Sequence, residues 1–372
     1  MSTVLAVLIL VTALYSSEIV NVQLSDGEIL KGKLRLPENQ KHPSRLVIFI
    51  HGTGPSTYLD RRKIGGVDFN YYDLFGEEFN RRGIGFFSYN KRGVAISDKP
   101  PLYYEIDREK FKKAVPSIET EDLSMAIEFL RKDPRLKKAK IILLGWSEGT
   151  IIASMLAGIK ENRITALLLA GYAHENMADI IKWQFSGESS MVNLNKAFDK
   201  DGDRKISSAE YIGKDRAAAA MRTRGLKNAK FEQLDIDKDS FISAKDFGKI
   251  LEPRYKLLSE KIEQNDGEWI WKNYFRVSTN WLGEHFQLEA NKTRLLREKK
   301  PIFVFHGTDD ASTDIYGVYR LSKSFAERGK TNLRTYVFKG HNHDLNFLSW
   351  AVRKKMPEGI RMIFDVSERM IN

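Results

Sequence analysis

Several short segments of this 372-residue chain consist almost entirely of apolar residues, and they alternate with segments of helical periodicity. Continuous apolar runs of this length are typical of strands buried on both faces of a parallel sheet. The clearest runs cover residues 45–50, 84–89, 140–144, 164–170 and 301–305. The alternation predicts an α/β fold, in which helices flank both faces of a mostly parallel central sheet.

Other periodic segments complete this sheet and its helical layers. Residues 19–24 and 29–36 are predicted to form two strands of a hairpin that turns across Ser25-Asp26-Gly27, and 333–338 a last strand. Helices are predicted over residues 75–82, 119–131, 150–159, 315–327 and 354–370.

The alternation of predicted strands and helices stops at about residue 175 and resumes at about residue 290. The intervening stretch is helical in character, so we interpret residues 175–290 as a helical lid inserted into one domain, which comprises 18–174 and 291–372. Those two pieces hold about 240 residues, enough for one α/β domain.

The first 17 residues carry no charged side chain, and residues 4–14 are nearly all apolar. Eleven residues are too few to cross a bilayer, which takes about 20, but they match the apolar region of a secretory signal peptide. This segment predicts export to a periplasm or out of the cell, with a cytoplasmic N-terminal element as the alternative. No other segment approaches transmembrane length.

Composition excludes several kinds of site. The chain has no cysteine, so disulfides, thiolate metal sites and a cysteine nucleophile are excluded. Its net charge of +11 is the excess of 60 Lys and Arg over 49 Asp and Glu, and these charges are spread along the sequence without a run of five like charges. Such a distribution indicates a solvated surface and does not favour a nucleic-acid partner.

Gly145-x-Ser147-x-Gly149 joins a predicted strand to a predicted helix. In that context the pattern predicts a nucleophile elbow, a sharp turn that raises the serine hydroxyl above the sheet edge at a helix N-terminus. An acyl-transfer site also needs at least two oxyanion donors. We predict the amide of Glu148 for one and that of Thr53, in the turn after the strand 45–50, for the other.

A serine nucleophile needs a base and an acid that orients it. His343 follows the last predicted strand, with His341 as an alternative, and Asp310 follows the preceding strand, with Asp309 and Asp314 as alternatives. The chain order serine, aspartate, histidine is the order of an α/β-hydrolase triad. The remaining histidines are expected to be structural, surface or core residues: His42, His51, His174, His285 and His306.

Taken together, these segments resemble the α/β-hydrolase superfamily over nearly the whole chain outside the insertion. The matching pieces are HGTGP at 51–55, YNKRGVAIS at 89–97, GWSEG at 145–149, HGTDD at 306–310 and GHNHDL at 340–345. The resemblance implies that Ser147 is the nucleophile, Asp310 the acid and His343 the base of an esterase-like serine hydrolase. Asn90 replaces the aspartate that many relatives have before Lys-Arg-Gly, a position outside the triad.

Two acidic loops in the insertion, at 199–210 and 235–246, repeat one spacing of oxygen-bearing residues. Hard cations bind six to eight oxygens, and such a loop offers side chains at positions 1, 3, 5, 9 and 12 and a carbonyl at position 7. The first set is Asp199, Asp201, Asp203, Ser207, Glu210 and the carbonyl of Lys205. The second set is Asp235, Asp237, Asp239, Ser243, Asp246 and the carbonyl of Phe241.

The two loops resemble a tandem EF-hand pair spanning about residues 190–250, which implies bound Ca²⁺. Ile206 and Ile242 hold the position at which paired loops share a short strand contact. Arg204 and Ser240 replace the usual glycine at position 6, and Asp246 is shorter than the usual glutamate. The second site is therefore predicted to be weaker or to accept Mg²⁺, and two surface loops without metal remain the alternative.

These observations predict a serine hydrolase that cleaves a carboxylic ester through an acyl-enzyme, with a lid that calcium orders and no organic cofactor. The same triad also serves peptidases, thioesterases and lactonases. A calcium-binding interaction protein on a non-catalytic hydrolase scaffold is the alternative from another class. A cluster of lid aromatics is predicted to pack between helices or to line an acyl pocket: Trp269, Trp271, Tyr274, Phe275, Trp281 and Phe286.

Overall fold

The computed structural model describes residues 16–38 and 42–370. The segment predicted as a signal peptide falls almost wholly outside the described residues, and export stays a prediction. Its last two residues, Ser16 and Ser17, belong to the first strand, where they pair with Leu36 and Arg35.

The centre of the molecule is an eight-stranded sheet with the strand order β1-β2-β6-β3-β9-β10-β13-β14. Its strands are β1 (Ser16–Gln23), β2 (Ile29–Leu36), β3 (Arg45–Ile50), β6 (Gly85–Tyr89), β9 (Lys140–Trp146), β10 (Ile164–Ala170), β13 (Ile302–Gly307) and β14 (Leu333–Phe338). β2 runs antiparallel to both of its neighbours, and the other pairs are parallel. The predicted α/β class, the mostly parallel sheet and the N-terminal hairpin are confirmed.

Six further strands form two-stranded ribbons outside this sheet. They are β4 (Arg61–Ile64) with β5 (Val67–Asn70), β7 (Val94–Ile96) with β8 (Tyr104–Ile106), and β11 (Ile206–Ser207) with β12 (Phe241–Ile242). The first two ribbons are absent from our sequence-based expectations, because their strands have only three or four residues each and are largely half-buried or exposed.

The helices of the two core pieces are α1 (Tyr71–Arg81), α2 (Arg108–Phe111), α3 (Pro116–Lys132), α4 (Gly149–Gly158), α13 (Asn291–Arg297), α14 (Ile315–Glu327), α15 (Phe347–Arg353) and α16 (Glu358–Arg369). Within residues 175–290 lie α5 (Met177–Phe185), α6 (Glu188–Phe198), α7 (Ser208–Tyr211), α8 (Arg216–Ala220), α9 (Phe231–Leu234), α10 (Ala244–Glu263), α11 (Gly267–Asn273) and α12 (Thr279–Gln287). Of the helices in the described part of the chain, none combines the length and apolar character that a bilayer crossing requires.

The helix predicted over residues 354–370 is present but shorter, since α16 begins at Glu358 and ends at Arg369. A separate helix, α15, ends just before this range at Arg353, and Lys354 after it has a left-handed backbone with φ of 57°. Pro357 then precedes α16. A helix cannot continue through a left-handed residue, and proline favours the position just before or at a helix start.

Both faces of the sheet are covered, which explains the continuous apolar strands. Along β3, Ile48 and Ile50 enter one hydrophobic cluster, while Val47 and Phe49 enter the cluster on the opposite face. Because neighbouring residues of a strand point to opposite faces, a strand covered on both sides needs apolar residues throughout. The carboxyl ends of these strands carry the loops described next.

Candidate active site

Ser147 lies in the turn between β9 and α4 with a left-handed backbone, φ 56°. A Cβ atom at Gly145 would clash with the carbonyl of Gly149, and one at Gly149 would clash with the carbonyl of Ile50. These clashes explain the glycine on each side of the serine. A non-glycine residue with positive φ is uncommon and occurs at functional turns, as the elbow prediction requires.

Asp310 and His343 form a direct pair, with 2.8 Å between Asp310 Oδ2 and His343 Nδ1. The Asp310 carboxylate also accepts hydrogen bonds from the Ser312 amide and from the amide and hydroxyl of Thr313. Burial would raise the pKa of Asp310, but His343 and these donors hold it well below its usual range. Burial would lower the pKa of His343, and the charge and hydrogen bond of Asp310 outweigh this effect and raise it.

The alternative acids and base have other partners. Asp309 forms an ion pair with Lys196 at 2.5 Å. Asp314 caps α14 and forms an ion pair with Arg320 at 2.9 Å. His341 lies near the Lys339 carbonyl and accepts a hydrogen bond from the Gly359 amide. Among these residues, geometry therefore favours the pair of Asp310 and His343.

Two other histidines support the loops of the site. His51 is buried and lies 2.6 Å from the Tyr72 hydroxyl and 2.7 Å from the Tyr89 carbonyl oxygen. His306 is buried beneath the acid loop, where its Nε2 lies 3.2 Å from the carbonyl of Thr313. Both contacts agree with the structural role predicted for these residues.

Ser147 and His343 line one cavity of about 300 Å³. Thr53 and Glu148, the predicted oxyanion donors, line it as well. Neither of their amides donates a hydrogen bond to another described residue. Thr53 and Glu148 thus line the cavity of Ser147 with amides that are not engaged elsewhere in the described part of the chain, and such amides can stabilise a developing oxyanion.

The segment between β10 and β13 supplies one wall of this cavity. Residues 175–290 contribute Met177, Ile180, Gln184, Tyr274, Phe275 and Trp281. Three of the six aromatic residues singled out in the sequence therefore line the cavity. Trp271 instead packs against Phe111, while Trp269 and Phe286 pack among the helices.

The carboxylate of Glu148 forms a buried contact network that the sequence analysis missed. The side chain is 1% exposed, and its Oε1 accepts hydrogen bonds from the Trp281 indole at 2.6 Å and His285 Nε2 at 2.8 Å. Burial would raise the pKa of Glu148, but Lys91 and these donors lower it to about 2. The only local sequence signal is an acidic residue immediately before the apolar helix α4, because the partners of Glu148 are more than 50 residues away in the chain.

The two acidic loops each bring three carboxylates together. In the loop 199–210, ligand atoms of Asp199, Asp201 and Asp203 lie within 4.8 Å of one another, as do those of Asp235, Asp237 and Asp239 in the loop 235–246. An all-oxygen donor set of this kind suits a hard divalent cation. One oxygen of Asp237 is buried without a hydrogen-bond partner, which also fits an ion-binding loop.

The backbone at position 6 of each loop is left-handed, the conformation for which glycine is usual at that position. Arg204 and Ser240, at position 6, have φ of 66° and 72°. Ile206 pairs with Ile242 in the short antiparallel contact between the loops. The carboxylates of Glu210 and Asp246, at position 12, accept hydrogen bonds from loop amides, including those of Lys200 and Ile236. The remaining predicted ligands are the carbonyls of Lys205 and Phe241 at position 7 and the side chains of Ser207 and Ser243 at position 9.

Comparison with known proteins identifies the fold. A family model for the α/β-hydrolase fold matches residues 45–349, whereas no curated protein matches the sequence. Est1E from Butyrivibrio proteoclasticus is similar over 95% of this chain and 97% of its own, with 13% identity and a TM-score of 0.48. The α/β hydrolase GrgF from Penicillium sp. sh18 is similar over 95% of this chain and 97% of its own, with 14% identity and a TM-score of 0.49.

A larger protein is also similar in structure. Dipeptidyl peptidase 4 from Porphyromonas gingivalis aligns over 96% of this chain but only 35% of its own, with 10% identity and a TM-score of 0.50. At these identities the likeness extends to the fold alone.

Proposed function

This chain belongs to the α/β-hydrolase fold family, and on that premise we propose that it is a serine hydrolase that cleaves carboxylic esters through an acyl-enzyme on Ser147. The observation that carries the proposal is the pairing of Asp310 with His343 at the cavity that Ser147 also lines. The partly aromatic wall of that cavity favours an uncharged acyl group.

The proposed reaction follows from the roles that each group can perform. The Ser147 hydroxyl attacks the acyl carbon while His343 Nε2 takes its proton, and the amides of Thr53 and Glu148 stabilise the oxyanion. His343 then gives the proton to the leaving alcohol. The same histidine deprotonates a water molecule that attacks the acyl-enzyme, and it returns that proton to Ser147 Oγ as the carboxylic acid leaves. Asp310 holds the imidazole and stabilises its charged form throughout.

The test is hydrolysis of p-nitrophenyl esters of increasing acyl length, together with labelling by a fluorophosphonate. Ser147→Ala is expected to lose at least about 10⁴-fold in kcat and all labelling. Ser97→Ala, at a half-buried position just after β7, is the matched control and should behave like the wild type. Equal activity and labelling in Ser147→Ala would contradict the proposal. Amide, thioester and lactone substrates of the preferred acyl length then test the type of bond.

We further propose that the loops 199–210 and 235–246 bind Ca²⁺ and that the ion stabilises the lid rather than taking part in the reaction. The converging carboxylates of each loop and the pairing of Ile206 with Ile242 support this proposal. A cation that binds only the folded loops must raise their stability. Ca²⁺ should therefore raise the thermal midpoint of the protein, and Mg²⁺ should do so less.

The loop variants separate the two sites. Asp199→Asn with Asp201→Asn should remove the stronger site, and Asp235→Asn with Asp237→Asn the weaker one, in calorimetric titrations with Ca²⁺. Asp98→Asn, which removes a highly exposed carboxylate outside the loops, is the control for charge. No heat of binding and no Ca²⁺-dependent midpoint in the wild type would show that the loops are ordinary surface loops.

A further inference from the structure

Four separate segments meet at a buried polar cluster directly behind the proposed nucleophile. The cluster consists of Lys91, Glu119, Glu148, Trp281 and His285. Glu148 follows Ser147 in the elbow, whereas Trp281 and His285 lie one helical turn apart on α12 of the inserted segment. Lys91 follows β6, and Glu119 lies on α3. Their meeting point is a property of the tertiary fold, because these segments are far apart in the sequence.

Each contact in the cluster is buried. The side chains of Lys91, Glu119, Glu148 and His285 are 3%, 6%, 1% and 0% exposed. Lys91 Nζ lies 3.3 Å from Glu119 and 3.6 Å from Glu148. At this burial the loss of one partner leaves a charge without compensation, which costs far more than the loss of a surface ion pair.

The same cluster reaches both sides of the proposed oxyanion site. Lys91 Nζ donates a 2.9 Å hydrogen bond to the carbonyl of Gly52, the residue before Thr53. The other proposed donor is the backbone amide of Glu148 itself. The ammonium of Lys91 therefore holds the Thr53 loop, while the carboxylate beside it is held by α12. One buried ionic cluster contacts the backbone segments of both donors.

We propose that the Glu148 carboxylate is a positioning residue, which fixes the two oxyanion amides relative to Ser147 and makes their alignment depend on the seating of α12 through His285 and Trp281. This inference rests on the proposed function. Its consequence is that an inserted helix, although it contributes no group to the triad, sets the rate of the chemical step. A displaced donor slows that step without a comparable change in substrate binding, because it acts mainly in the transition state.

His285 provides the sharpest test, because it is buried and does not line the cavity. His285→Leu keeps the apolar volume but removes the hydrogen-bond donor, and we expect kcat for the preferred ester to fall about 10- to 100-fold with KM changed less than about threefold. His285→Gln keeps a side-chain N–H and should restore most of that loss. Glu148→Gln should reproduce the fall in kcat.

Asp122→Asn is the matched control, since Asp122 forms a buried pair with Arg92 at 2.6 Å and lies outside the cavity. It should lower the unfolding midpoint but leave kcat within about twofold of wild type. All rates are measured well below each unfolding midpoint, and circular dichroism verifies folding.

The outcomes separate the two proposals. Active wild type with an unchanged kcat in folded His285→Leu would overturn the positioning role alone, as would equal rates in the Leu and Gln variants. A wild type that neither hydrolyses esters nor reacts with fluorophosphonate would overturn the proposed function and the positioning role together.

Discussion

The sheet-based core and the inserted segment are built in different ways. In the core, side chains from both faces of one sheet fill two large hydrophobic clusters. The inserted segment has a small cluster of its own around the acidic loops, which includes Phe198 and Tyr211. A second cluster packs its other helices against Ile151 of α4. The loops at the ends of the continuous sheet carry the proposed reacting groups, whereas helices of the inserted segment form one wall of the cavity.

The two regions nevertheless meet at both ends of the proposed triad. On the acid side, Ser189 and Gln184 donate hydrogen bonds to the carbonyls of Ala311 and Ser312, in the loop that holds Asp310. On the nucleophile side, α12 contacts Glu148. The difference between the regions therefore teaches that the core supplies the groups while the inserted segment adjusts the loops that carry them.

The largest effect is expected from removing the core's own acid. Asp310→Asn should lower kcat by about 10³- to 10⁴-fold, since the imidazole loses both its orientation and the charge that stabilises its protonated form. Asp309→Asn is the matched control one residue earlier, and it removes only the ion pair with Lys196 of the inserted segment. Steady-state hydrolysis of the preferred ester measures both. A similar loss in the two variants would mean that the contact with the inserted segment matters as much as the acid.

An intermediate effect tests whether the two regions unfold separately. Phe364 in the core and Phe198 in the inserted segment are both fully buried. Replacing either with alanine removes about 3–5 kcal/mol of packing free energy. Phe364→Ala should lower the main thermal transition, while Phe198→Ala should speed hydrogen exchange within residues 191–247 and leave the core amides protected. If amide hydrogen exchange rose throughout the protein in both variants, the core and the inserted segment would unfold as one cooperative unit.

The smallest effect concerns the pH dependence. Burial lowers the pKa of His343, but the neighbouring carboxylates outweigh it, and the base is active only when neutral. Hydrolysis is therefore lost as the pH falls through the pKa of His343, which lies above the usual histidine value of about 6.5. Asp344→Asn removes one of these charges and should move the acidic limb of kcat/KM down by a few tenths of a unit. Lys196→Met, in the inserted segment, should leave the acidic limb of kcat/KM at its wild-type pH. A shift as large as that of Asp344→Asn would contradict the idea that groups of the core set this pKa.

Much of the core could be predicted because its elements depend on local patterns. The strand Ile164–Ala170 and the helix Ile315–Glu327 match their predictions residue for residue, since a doubly covered strand and an amphipathic helix each have a clear period. The helix predicted over 354–370 begins only at Glu358, because Lys354 has a left-handed backbone, and a lysine gives no local signal of that conformation.

The sequence by itself determined the fold class and the chemistry of the residues offered for the site, because apolar period and residue type are local properties. Ser147 between two glycines and the spacing of the acidic loops could be recognised in this way. Only the tertiary structure decided which acid meets His343, and which side chains surround Glu148. Those contacts join residues that are 33 and 137 positions apart, so they depend on how distant elements pack in space and leave no periodic trace in the chain.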